Sequence, residues 1–295
     1  MLRILLLLSG VFFCSTSVII IRSSELPPAL VAAYRLLFAS ILLSPVFFLA
    51  WRKHRKTFAA TQLKRCLIPA GLLAVHFISW AWGARLTYVA NATLIINLTP
   101  MVMPFLAHFL IREQVTRREI LGTLIALSGV IVLSYGAFRI DPSYLKGNIV
   151  CFASMTTFAA YLAYGRINKD FPSIWLYMVP IYAMAALLCF AFSAASLDSL
   201  SIVSWREVAL MLGMAVLPTT LGHVALNRSL RYFAAQTLAV VNLHQFVFAG
   251  ILGWIIFSDV PPGSFFLAAA LCVSGAVVVV REAARVAAER RRGKP

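Results

Sequence analysis

The sequence predicts an all-helical, multi-pass membrane protein of about ten transmembrane helices, arranged as two inverted five-helix repeats. Three observations carry this. Of the 295 residues, 61% are hydrophobic and 12% charged, about half the charged share of an ordinary soluble domain. Apolar runs of roughly 20 residues, each long enough to cross a ~30 Å hydrocarbon core as a helix, recur along the whole chain. The chain also states one pattern twice. TYVANATLIINL at 87–98 returns as RYFAAQTLAVVNL at 231–243, so Tyr88, Thr93 and Leu94 find partners in Tyr232, Thr237 and Leu238. Glu113 returns as Asp259, and LSGVIVL at 127–133 as VSGAVVV at 273–279.

The elements follow in order. Met1–Ile21 is too long an apolar run for a secretory signal and is not followed by a small-residue cleavage site, so it is expected to be a retained first span. Its Cys14-Ser15-Thr16-Ser17 places small polar groups inside that span. Span two covers Ala29–Trp51 and is followed by the basic connector WRKHRKTFAATQLKR. Spans three and four are expected at Cys66–Ala84 and Asn91–Ile111, the latter interrupted by Pro100 and Pro104. Thr116-x-x-Glu119 is a capping box that opens span five. Arg139–Lys146, with Asp141-Pro142, joins the halves. Spans six to nine are expected at Gly147–Tyr164, Ile174–Leu197, Glu207–Leu226 and Ala235–Phe257. Pro261-Pro262 begins span ten, where a missing N–H costs little, and the span continues past Val280 into a basic tail. The domain reading is therefore a first repeat over 1–140, a second over 145–282 and a tail over 283–295.

Five spans per repeat is an odd number, so the second copy must enter the membrane from the opposite side. Charge agrees. With the N-terminus inside, the outer segments hold Arg22, Arg85, Arg139, Lys146 and Arg206 of the 26 basic residues, Arg35 lies within a span, and the rest fall inside. Both termini are expected on the cytoplasmic side of a bacterial inner membrane. This asymmetry accounts for the net charge of +16 without a nucleic-acid partner, and the basic tail is read as an orientation anchor. The five cysteines have no metal-ligand spacing and are read as small core residues; no metal and no cofactor is expected.

YRLLFAS at 34–40, the proline after TLIINLT at 93–99, Arg112-Glu113 at the end of span four and LGTLIALSGVIVL at 121–133 together resemble the EamA-type repeat of the drug/metabolite transporter superfamily. The second half is similar but has Asp259 where the family usually has Glu, and His244-Gln245 where its proline would fall. The resemblance implies a ten-helix carrier with a central cavity between the repeats, working by alternating access. Across that family the substrates include amino acids, nucleosides, other metabolites and drugs.

Polar residues at bilayer depth are costly unless they meet a partner or water, so they mark a cavity or a helix–helix bond. Helical spacing puts His76, Ser79 and Trp80 on one face of span three. Asn97 in span four, Thr157 and Tyr161 in span six, His223 and Asn227 in span eight, and Asn242, His244 and Gln245 in span nine complete the cavity candidates. Arg35, about 9 Å into span two, either binds an anionic group or locks helix ends near the outer surface. The family resemblance, with an arginine here irrespective of substrate, favours the lock. Pro100, Glu113 and Asp259 are assigned to hinges, the acids with Arg117 or a helix N-terminus as partners.

All ten carboxylates fall in loops or at span ends, so a small-molecule cargo that is neutral, zwitterionic or anionic is expected. If transport is proton-coupled, His76 or His244 is the group left to carry the proton; exchange or facilitated diffusion is the alternative. No H-E-x-x-H, nucleophile elbow or paired intramembrane acid supports an enzyme, while a lipid-headgroup flippase stands as the alternative transporter reading. Membrane lipids are the other expected partner, with the chain a monomer or homodimer.

Overall fold

Where the sequence repeats, the helices break in the same way. The computed structural model describes residues 2–56, 58, 60–87, 92, 95–134, 142–196, 204–258 and 260–291, and the described residues are helical with short connections. Span four turns at Asn97–Leu98 before helix Thr99–Leu106, and span nine turns at Leu243–His244 between helices Ala235–Asn242 and Gln245–Phe257. The first break has Pro100 in the opening turn of the new helix, where its missing N–H is tolerated; the second falls one residue later in the repeat and has no proline. Both spans also end alike. Arg112 closes span four with φ 58° and Ser258 closes span nine with φ 59°, each in the left-handed region. Tyr88, Thr93, Leu94, Asp141 and Asp259 lie outside the described residues.

The remaining expected spans are helices at Leu2–Ser23, Pro28–His54, Leu67–Leu86, Arg117–Ser134, Leu145–Ile167, Ile174–Ala195, Trp205–Ser229 and Gly263–Arg291. Spans one, two, three, seven, eight, nine and ten are long and apolar enough to cross a membrane on length and composition alone. Span four is shortened to Thr99–Ile111 by its break, span five opens on Arg117, Arg118 and Glu119, and span six carries Ser154, Thr156 and Thr157. The protein is a multi-pass membrane protein.

Local chemistry sets the helix starts. The capping box forms reciprocally: the Glu119 N–H donates to Thr116 Oγ1 at 3.2 Å, and the Thr116 N–H to Glu119 Oε2 at 2.9 Å. Ser173 and Ser204 cap spans seven and eight by accepting from the N–H groups of Trp175 and Glu207. Within span eight, Ala215–His223, which contains Pro218, widens into a π-helix, a geometry often found at functional positions.

The packing has internal two-fold symmetry. Span two packs on seven, five on ten and four on nine. Span three packs on six as eight does on one, three on seven as eight does on two, and four on six as nine does on one. Exchanging each span for its counterpart returns these contacts, while span nine also packs on five and six, and eight on six, more closely than their counterparts do. Small residues permit the closest crossings. A Cβ on Gly83 would stand 2.7 Å from Cys151 Sγ, and one on Gly222 would stand 2.6 Å from Cys14 Sγ. All five cysteines are free and buried, and three of them, Cys14, Cys151 and Cys272, sit at such crossings.

Candidate substrate cavity

The two broken helices deliver their asparagines to one place. Asn97 and Asn242 line a cavity of about 150 Å³ between the halves, with walls from spans one, two, three, four, six, eight and nine. Span one contributes Cys14, Ser15 and Ser17, span two Arg35, span three His76, Phe77 and Trp80, and span eight His223. Ile96, Phe158, Phe246 and Ala249 supply apolar wall, and Gln245 adds an amide.

Arg35 is 3% exposed and ties span two to span eight. Its Nε donates to Thr219 Oγ1 at 3.0 Å, and its guanidinium lies 4.0 Å from the centre of the Phe77 ring. Thr219 is fixed in turn: its hydroxyl donates to the Met214 carbonyl, and its own carbonyl accepts from the Tyr182 hydroxyl at 2.8 Å. The span is therefore a scaffold for the arginine. A physical reason for the depth is that span two starts at Pro28 and carries Arg35 two turns inward.

His76 Nδ1 lies 3.0 Å from Ser154 Oγ, and its ring stacks on Phe158 at 4.7 Å. His223 is edge-on to Phe77 at 5.3 Å. In span nine the Gln245 amide donates to Asn242 Oδ1 at 2.6 Å across the break.

Five of the sequence candidates do not line the cavity. Ser79 bonds back to the Val75 carbonyl and Thr157 to those of Ala153 and Ser154, the usual way a helical hydroxyl satisfies itself in a membrane. His244 Nδ1 lies 2.9 Å from the Val241 carbonyl at the helix break, away from the cavity. Tyr161 and Asn227 form a layer between the cavity and the end of the bundle where Arg3 meets Tyr232, here the terminal face, the Asn227 amide donating to the Tyr161 hydroxyl at 2.8 Å. Beneath that layer Arg166 Nε donates to Glu113 Oε1 at 2.7 Å, and Nη1 donates to the Leu230 carbonyl. Glu113 thus takes its partner from span six, across the bundle, rather than from Arg117. Pro100 offers its carbonyl to Gln236 of span nine at 3.3 Å. At the same face Arg65 holds Asp170 at 2.8 Å and keeps its carboxyl below the ordinary range.

The cavity residues missed in the sequence are of two kinds. Ser15 and Ser17 did leave a signal, a polar run in an otherwise apolar span. Phe77, Phe158 and Phe246 left none, because an aromatic facing a cavity reads the same as one facing lipid.

The EamA-like transporter family matches residues 1–135 and, a second time, residues 145–281. This chain belongs to the EamA-like transporter family. Its relatives are transporters of the drug/metabolite superfamily. It is 22% identical to the pseudopaline exporter CntI of Pseudomonas aeruginosa, over 88% of this chain and 85% of that one. It is 24% identical to human solute carrier family 35 member G1, over 90% of this chain and 75% of that one. An uncharacterized transporter of Bacillus subtilis, YyaM, is 26% identical over 59% of this chain; the match spans 57% of that protein's length. A crystal structure 18% identical in sequence superposes with a TM-score of 0.80, over 95% of this chain and 98% of that one, and shares the fold. The EamA repeats therefore meet at the cavity described above, each bringing one broken helix to it.

Proposed function

We propose that this EamA-like protein is a secondary transporter that exports a small neutral, zwitterionic or anionic metabolite by alternating access. The observation that carries this is the cavity at the junction of the repeats, which has a largely apolar wall set with polar groups, a buried cation and no carboxylate among its described lining residues. Export is supported by the named activity of CntI, and cytoplasmic termini in a bacterial inner membrane by the distribution of basic residues.

In this reading, the described conformation is closed toward the terminal face. The Tyr161–Asn227 layer and the Arg166–Glu113 pair form the barrier, and both must part for cargo to pass. The breaks at Asn97–Leu98 and Leu243–His244 are where the halves flex, since each leaves the backbone free of continuous helical bonding. Exchange or facilitated diffusion needs no titrating group. If a proton is coupled, His76 and His223 are at the cavity and His244 is not.

Counterflow tests this proposal. Proteoliposomes preloaded with amino acids, nucleosides or organic acids are expected to accumulate the matching labelled solute transiently. A screen across these classes with no counterflow, alongside scrambling of fluorescent lipid, would favour the flippase instead.

A further inference from the structure

Two buried polar atoms at the cavity have no hydrogen-bond partner among the described residues, Arg35 Nη2 and His223 Nδ1. Their residues are 3% and 6% exposed and both line the cavity wall. They also belong to one constellation. Both groups contact Phe77, the guanidinium over its ring at 4.0 Å and the imidazole edge-on at 5.3 Å. Thr219, which holds Arg35 Nε, lies on the same π-helical segment as His223. A buried donor left without an acceptor costs about 1–3 kcal/mol, more for a charged group, so two at one cavity point to something that enters it.

We propose that Arg35 and His223 form the docking point for a carboxylate of the cargo. One oxygen accepts from Nη2 of Arg35, and the other accepts from Nδ1 of His223 in the tautomer that carries hydrogen there. Nε is already committed to Thr219, which fixes the guanidinium in orientation before the cargo arrives. Charge selects the carboxylate over a phosphate. Among the described lining residues Arg35 carries the only fixed charge, so a monoanion is neutralised while a phosphate dianion would keep one charge uncompensated at low dielectric. This inference rests on the transport reading for its assumption that the cavity is the cargo's site, and it narrows that reading by excluding neutral cargo.

The test uses the full-length protein purified in detergent, with benzoate, benzamide and phenyl phosphate as probes of one body and three headgroups. Benzoate is expected to raise the melting temperature in a saturable way. Benzamide and phenyl phosphate should need about tenfold higher concentration for the same rise. Arg35→Gln should weaken benzoate about tenfold or more, because a charge-assisted bond is lost. Should that variant fail to fold, Arg35→Lys and His223→Gln are read in its place, each expected to weaken benzoate. The proposal is overturned if benzamide matches benzoate, if phenyl phosphate is the strongest, if benzoate has no effect, or if these variants leave its effect intact. Counterflow separates the two levels. A benzoate effect that depends on Arg35 with no solute movement upholds the site and overturns transport; neutral-solute movement that ignores Arg35→Gln does the reverse.

Discussion

Replacing Glu113 by Gln tests the barrier on the terminal face. The side chains of Arg166 and Glu113 are 10% and 21% exposed, between a surface pair and a fully buried one. The glutamine keeps an oxygen that can accept from Arg166 Nε but removes the charge. A bond to a charged group contributes about 1.5–3 kcal/mol and a neutral one about 0.5–1.5, so the loss is about 1–2 kcal/mol. At 1.4 kcal/mol per factor of ten, local opening becomes roughly 5–30-fold more frequent. Hydrogen–deuterium exchange reads that opening directly. Amides of Tyr164–Asn168 and Leu226–Leu230 should exchange faster by about that factor, while those of spans five and ten should not change. Unchanged exchange at both segments in a folded variant would refute the assignment of this pair to the barrier.

Other perturbations have definite expected outcomes. Gly222→Ala drives a Cβ to 2.6 Å from Cys14 Sγ and should cost about 1–3 kcal/mol in thermal unfolding, whereas Gly71→Ala, with open space around it, should cost nothing of that kind. Thr116→Ala removes half of the capping box and should cost about 0.5–2 kcal/mol, with Thr116→Ser restoring it. Asp170 is held below its ordinary pKa by Arg65, so its contribution is present above the unfolded carboxylate range and is lost as pH falls through the lowered value. Asp170→Asn should therefore flatten the acid limb of a melting-temperature profile, by a small amount because the pair is exposed. His244→Gln should leave the pH dependence of counterflow unchanged, since its ring bonds the Val241 carbonyl at the helix break and does not line the cavity; a changed pH dependence would return it to the proton path.

The fold was legible because its causes are local or periodic. Apolar run lengths gave the spans, Thr116 and Glu119 gave a helix start, and the repeat of Asn97-Leu98 as Asn242-Leu243 gave the symmetry. The cavity was legible only in part. His76, Trp80, Asn97, His223, Asn242 and Gln245 are polar or amphipathic at bilayer depth and reach it. Ser79 and Thr157 have the same helical spacing but satisfy themselves on their own backbone, which no spacing rule distinguishes. Arg35 was visible as a charge in a span, yet its depth depends on where span two begins and on Thr219, far away in sequence. The Glu113–Arg166 pair also joins distant segments, so neighbouring Arg117 was the natural but wrong partner.

The central claim is that cargo passes through the cavity between the repeats, and filling that cavity tests it most directly. Ala249 lines it, and Ala249→Trp would occupy much of its roughly 150 Å³ without touching the barrier residues. Leu187→Trp, on the exposed face of span seven, serves as the control. Counterflow in proteoliposomes should proceed for the wild type and Leu187→Trp and stop for Ala249→Trp. A wild-type rate from a folded Ala249→Trp protein would contradict the account.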